Sequence, residues 1–241
     1  MKYLPLLSRT KRLKSGLILA CPLDDLDCQD IAFNRLPTKF GGTFTLTDGP
    51  KGKSALTSPD KASGFTFDAI AEDRLTAGGG WSYSMSIWYK RSGTSTNYAV
   101  PGPCYQHSSW ASPAAMLAGA DSTNGYQMYA AQSANTTTAQ SQFAGQTHIQ
   151  DRWMHIAMSV RCGIALNWTG YDSVTGETFQ TKQVSFDRLP SASGASSPTW
   201  TLFNQPGGTL YGFPGSCCLA AVWNRALSPE ELQNVRHWDL Q

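Results

Sequence analysis

Charge is scarce in this chain: Asp, Glu, Lys and Arg make up only 15% of its 241 residues, and the net charge is +2. A broad basic field of the kind that draws nucleic acid is therefore excluded. The one basic run, SRTKRLK at 8–14, reads as a solvated arm. No apolar run approaches the length of about 18 residues that a membrane helix needs, so no span is expected. There is no Cys-x-x-Cys pair either. The six cysteines, Cys21, Cys28, Cys104, Cys162, Cys217 and Cys218, show no repeated spacing, which argues against a zinc site and against a dense disulfide framework. Whether Cys217 or Cys218 pairs with Cys162 is left open by the spacing. Cys104 and His107 have the separation of half a metal site, but the other half is missing, so no metal and no cofactor is expected.

Catalytic signatures are also absent. Retaining glycosidases place two carboxylates about 5–5.5 Å apart, and no Glu-x-Asp-x-Glu strand exists here to deliver them. Glu72 and Asp73 are adjacent, which on a strand points them to opposite faces. Glu177 is isolated in a turn-like TGET, and Glu230 and Glu231 fall at a helix start. Nothing matches Gly-x-Ser-x-Gly, and His155 alternates with apolar strand residues, so it reads as structural. AGGGW at 77–81 has no helix after it and is a turn rather than a phosphate loop. These absences point away from an enzyme.

What is present is period-two patterning. YSMSIWYKR puts Tyr83, Met85, Ile87 and Tyr89 on one side and Ser84, Ser86, Trp88 and Lys90 on the other. WMHIAMSV sorts Met154, Ile156, Met158 and Val160 onto one face, and GIALNW follows closely, predicting a hairpin with Gly163 in its turn. Further strands are expected near Thr43 to Leu46, Gly64 to Ala69, Tyr126 to Ala131, Phe179 to Phe186 and Thr199 to Phe203. LILAC at 17–21 looks like the end of a lipoprotein signal, yet its apolar stretch is short of the roughly 7–15 residues an export leader needs. LILACPL is therefore read as the first strand. Helical character appears only at the end of the chain. Ser228 can cap Glu231, Glu231 can reach back to Ser228, and Pro229 fits the first helical position, predicting a helix of two to three turns with Leu232 and Val235 on one face. Many short strands separated by Gly, Ser, Pro and Asn clusters indicate an all-β sandwich or barrel.

Three stretches carry a resemblance. SGLILACPLDD at 15–25 resembles the opening strand, GGWSYSMSIWYKRSG with DRWMHIAMSV the central strand pair, and FPGSCCLAAVWNRALSPEELQNV the closing strand and helix, of the laminin-G-like and pentraxin-like jelly rolls in the concanavalin A-like lectin and glucanase superfamily. The resemblance covers residues 15–238 and implies a two-sheet antiparallel jelly-roll sandwich over residues 16–241, with an N-terminal arm at 1–15 and a short C-terminal helix that seals it. The superfamily's frequent calcium site has no clear match: Asp24, Asp25, Asp27 and Asp30 lack the arrangement of a calcium loop.

Binding is the function class this composition supports. Tyr98, Tyr105, Trp110, Tyr126, Trp168 and Tyr171 stand amid Asn, Gln and Ser, the mixture that stacks on sugar faces and hydrogen-bonds their hydroxyls. These six are the candidate ligand-binding residues. The same mixture suits a protein contact, where Tyr and Trp are enriched. Two readings follow. In one, the chain is a virion surface component of a phage-like particle, a decoration, head-fibre or tail protein, whose arm docks on assembly proteins while the loops meet surface glycans; a homo-oligomer is a separate expectation. In the other it is a free, extracellular carbohydrate-binding lectin or adhesion module.

Overall fold

Two antiparallel sheets stack face to face, and alternation along their central strands decides what lies between them. The computed structural model describes residues 13–68, 70, 82–92, 102–106, 113–121, 125–130, 139–142, 151–161, 165–179, 199–204 and 212–237. Its strands are β1 (Leu17–Cys21), β2 (Thr38–Phe40), β3 (Thr45–Asp48), β4 (Ser54–Thr57), β5 (Gly64–Phe67), β6 (Ser82–Arg91), β7 (Cys104–Gln106) and β8 (Pro113–Asp121). They continue with β9 (Gly125–Ala130), β10 (Ala139–Gln142), β11 (Met154–Arg161), β12 (Ala165–Asp172), β13 (Thr178–Phe179), β14 (Thr199–Leu202) and β15 (Gly215–Trp223). One sheet has eight strands, ordered β13-β12-β11-β6-β15-β4-β3 with β1 also on β15. The other has seven, ordered β10-β9-β8-β7-β14-β5-β2. The pattern left a sandwich or a barrel; the all-β sandwich with a short C-terminal helix that the resemblance implied is the observed architecture. No helix among the described residues is long and apolar enough to cross a membrane.

The inner face of the eight-stranded sheet is the apolar parity read from the sequence. Tyr83, Met85, Ile87 and Tyr89 of β6 and Met154, Ile156, Met158 and Val160 of β11 are all buried in one cluster with Phe65, Phe67, Trp200 and Leu202 of the opposite sheet. Each such side chain contributes about 1.5–3 kcal/mol of burial, so this layer is the main source of stability. The sequence missed β2, β4, β7, β8 and β10. Most are only three or four residues long, and β8 (PAAMLAGAD) is Ala- and Gly-rich with no alternation to detect. Of the strand expected at Phe179 to Phe186, only Thr178–Phe179 lies within the described residues.

The helix, Pro229–Val235, does not close the space between the sheets. It packs on the outer face of the eight-stranded sheet, against β11 and β12, where Leu232 and Val235 join Ala157, Ala221, Trp223 and Leu227. Small hydroxyl residues make that close approach possible. Ser84 Oγ donates to the Arg225 carbonyl at 2.9 Å and accepts from the Leu227 N–H at 2.8 Å, while Ser159 Oγ donates to the Leu227 carbonyl at 2.8 Å. The polar parity of β6 is therefore a seat for the closing turn. The helix start is a full capping box: Ser228 Oγ accepts from Glu231 N–H, and Glu231 accepts from Ser228 N–H. Arg225 braces it with two bonds to the Glu231 carboxylate, at 2.8 and 3.0 Å.

The end of the expected arm is fastened down. Leu13 is buried with the helix residues, its carbonyl accepts from Trp223 Nε1, and the Ser15 carbonyl accepts from Arg225 Nε at 2.8 Å. Residues 1–12 lie outside the described set.

Candidate functional site

The outer face of the eight-stranded sheet is covered by the helix at one end and open at the other. His155 pairs with Trp88 on one side and Tyr171 on the other, so these three share a transverse row, continued by Cys218 opposite Trp88. Trp88 and His155 are buried; the rings stand 5.1 Å apart, and Ser86 Oγ lies 2.8 Å from His155 Nε2. His155 is thus held by packing and by a serine two residues from Trp88, as a structural histidine would be. Tyr171 is half-buried. It meets Trp88 edge-on at 5.9 Å and carries the Arg236 guanidinium over its ring at 4.4 Å, with Arg236 also donating to Thr178 Oγ1 at 2.7 Å.

One residue pair further along lies a second row, in which Ser173 is exposed, Trp153, Lys90 and Thr57 are half-buried and Ser216 is buried. Trp153 is half-buried, with the Lys90 ammonium 5.6 Å from its ring centroid. Ser173, exposed, flanks it on β12's side, donating its N–H to the Trp153 carbonyl at 3.1 Å. On the other side Lys90 pairs with Ser216, and Ser216 Oγ meets Thr57 Oγ1 at 2.8 Å. The row Ser173, Trp153, Lys90, Ser216, Thr57 crosses five adjacent strands or strand ends, about 19 Å at a spacing near 4.8 Å per strand. It lines up an aromatic ring, a cation, the exposed Ser173 hydroxyl on one side and the half-buried Thr57 hydroxyl on the other. Such a surface can stack on the C–H face of a pyranose or furanose ring and hydrogen-bond its hydroxyls.

Three of the described carboxylates, Asp172, Glu231 and Asp30, are committed elsewhere. Asp172 accepts from the N–H groups of Val174 and Thr175 and from Arg152 at 3.2 Å. Burial pushes its carboxyl up, but those hydrogen bonds and the Arg152 charge outweigh it and hold it below the ordinary value. Glu231 shows the same balance, partial burial raising it and the bonds from Arg225 and Ser228 leaving it lowered. Asp30 is fully buried beside Arg35, Oδ2 to Nε at 2.7 Å. Among the described residues, no three of His, Cys, Asp and Glu are grouped so as to hold a metal ion. Cys21, Cys28, Cys104, Cys217 and Cys218 are free, buried thiols, and Cys162 lies outside the described residues.

The six aromatic candidates do not form a single site within what is described. Tyr98 and Trp110 lie outside it. Tyr105 sits on β7, opposite Trp200, and Tyr126 on β9, both in the seven-stranded sheet. Trp168 and Tyr171 share β12 but pair with Met158 and His155, which belong to opposite faces of the sheet. Only Tyr171 adjoins the open row. Trp153 and Lys90, its centre, were not singled out in the sequence. The available signal was parity: both alternate onto the side of their strands opposite the apolar residues.

No protein-family model and no curated protein matches the chain. Solved structures do. Domain 4 of AbnA, an extracellular GH43 arabinanase from Geobacillus stearothermophilus in complex with arabinotriose, is similar at TM-score 0.66 and 17% identity, covering 92% of this chain and 98% of that one. The receptor-binding domain of botulinum neurotoxin D gives TM-score 0.66 at 13% identity, over 93% of this chain and 53% of that one. The binding domain of botulinum neurotoxin DC, solved with rat synaptotagmin II, gives 0.61 at 12%, over 93% and 52%. The chain therefore spans about half the length of the neurotoxin domains it matches. At these identities the likeness establishes the sandwich fold.

Proposed function

We propose that the chain is a non-catalytic recognition module that binds a glycan along the open row centred on Trp153. The observation that carries this is the half-buried indole with Lys90 beside it, the exposed Ser173 on one side and the half-buried Thr57, hydrogen-bonded to the buried Ser216, on the other. Two further facts favour it. The described carboxylates with resolved partners are tied into ion pairs and turns instead of facing one another across a cleft. One neighbour of the same fold was solved with arabinotriose, and another is described as entering cells through interaction with two ganglioside molecules. A glycan array probed with the intact chain and with Trp153→Ala tests it. Binding by the former and loss in the latter is expected; no signal above background from the intact chain defeats the proposal.

A second reading has its own observation. The basic and apolar composition of residues 1–12 suits a segment that orders on a partner. It places the module on a phage-like particle as a decoration, head-fibre or tail protein, or in another protein assembly. Deleting residues 1–12 should then abolish incorporation while sparing glycan binding; undiminished incorporation would count against it.

A further inference from the structure

Four of the six large apolar side chains exposed among the described residues fall in one short stretch between β1 and β2: Leu26 at 48%, Ile31 at 47%, Phe33 at 40% and Leu36 at 67%. This stretch is rigidly mounted. Asp30 and Arg35 exchange backbone hydrogen bonds at 2.9 and 3.1 Å, closing a hairpin whose tip is Ile31 to Asn34. The buried Asp30 carboxylate accepts from the N–H of Ala20 at 2.8 Å and of Ala32 at 3.0 Å and pairs with Arg35. Arg35 in turn donates to the carbonyls of Ile18 at 2.9 Å and Asp68 at 3.2 Å. A buried ion pair thus fixes the base of a loop whose tip shows greasy side chains to water. Scattered exposed apolar residues are ordinary, whereas a clustered and rigid set marks a contact surface. Its flank is acidic: Asp24, Asp25 and Asp27 are all exposed, and Asp25 Oδ1 holds the turn by accepting from the N–H of Asp27 and Cys28.

The matching chemistry lies in the same chain. Residues 1–12, MKYLPLLSRTKR, offer Tyr3, Leu4, Leu6 and Leu7 followed by Arg9, Lys11 and Arg12, with no acidic residue. We propose that this surface receives residues 1–12 of a second copy, Leu4, Leu6 and Leu7 covering Ile31, Phe33 and Leu36 while Arg9, Lys11 and Arg12 face Asp24, Asp25 and Asp27. The free edge of the donor's own β1 is already occupied. Leu13 and Ser15 are held by Trp223 and Arg225, and the hairpin already fills the free edge of β1 through Ile31 N–H to Ala20 carbonyl at 2.8 Å. A segment of this length reaches about 40 Å when extended, ample to cross to a neighbour. Two copies that exchange arms reciprocally close as a two-fold dimer, and copies that pass the arm one way build rings or filaments. This inference is independent of the glycan row.

Sedimentation of the intact chain over roughly a hundredfold range of concentration reads the outcome directly. Concentration-dependent self-association is expected, lost on deletion of residues 1–12 and weakened about tenfold or more by Phe33→Ser with Leu36→Ser. Both positions are exposed, and an unchanged thermal midpoint confirms that the variant folds. Asp24→Lys with Asp27→Lys, which leaves the Asp25 turn contacts in place, should weaken association, and Lys11→Glu with Arg12→Glu in the partner copy should restore it. A monomer at every concentration, association unchanged by the deletion, or a patch that instead drives binding to zwitterionic lipid vesicles would overturn the proposal.

Discussion

Removing the Asp30 carboxylate would leave the Arg35 guanidinium, 9% exposed, beside β1 without its counter-charge. Breaking a buried pair in this way costs about 3–5 kcal/mol, so Asp30→Ala should lower the urea midpoint by a corresponding amount, and Asp30→Asn, which keeps the turn hydrogen bonds, by less. Trp153 gives the contrast. It lies at the margin of the core, so Trp153→Phe should keep stability nearly unchanged while weakening any glycan bound through the larger indole, as titration calorimetry would show. The buried thiols make a third case at this scale. Burial pushes Cys104 up to about 12 against a weaker lowering by Thr201, and raises Cys21, Cys217 and Cys218 as well. The thiolate is the reactive form. Iodoacetamide applied to the folded chain at neutral pH should therefore modify none of these four, and all of them after denaturation, by peptide mass mapping.

At the scale of the element, the closing helix is short enough that its cap and its seat decide whether it forms. Ser228→Ala removes one side of the capping box and should cost about 1 kcal/mol in urea unfolding. Its pH dependence has a definite sign. The Glu231 carboxyl is held below its ordinary value of 4.5 in the folded chain, so its contribution is complete above that pH and fades as pH falls through the lowered value. Glu231→Gln should remove that part of the acid-side loss of stability. The strand before the helix holds a feature that alternation could not foretell. The register of β15 on β6 shifts between Cys218 and Ala221, with Leu219 at φ 53° donating its N–H to the Pro22 carbonyl at 2.9 Å. This bulge puts Cys218 and Ala221 on the same face, although they are three residues apart. Ala221 and Trp223 thereby reach the helix side, where the short apolar run CCLAAVW carries no period to announce it.

For the whole molecule, the seven- and eight-stranded sheets and the helix outside them separate stability from display. The interior between the sheets is made by β5, β6, β11 and β14. The open row and the apolar hairpin therefore stand on surfaces that can change without emptying the core. Substitutions at Ser173, Lys90, Phe33 or Leu36 should shift the thermal midpoint little, in contrast to Met85→Ala or Ile156→Ala, which leave cavities and cost about 2–5 kcal/mol. The candidate site was legible only in part. Tyr171 was reached through its aromatic character, while Trp153 and Lys90 became a site because β11 and β6 lie side by side in a register that brings 153 beside 90. No local pattern records that pairing.

The sequence by itself determined the all-β class, the inner faces of β6 and β11, the capping box of the helix and the structural place of His155. Each of these rests on spacing within a few residues, where side-chain period and backbone hydrogen bonding act directly. Tertiary structure alone decided that the helix lies outside the sheets, that serines seat it, that β15 changes face at Leu219, and that a half-buried indole stands in one row with a lysine and the hydroxyl residues Ser173, Ser216 and Thr57. Those outcomes depend on strand order and register, which are fixed by contacts between residues as far apart as Thr57 and Ser216 and leave no periodic mark in either segment.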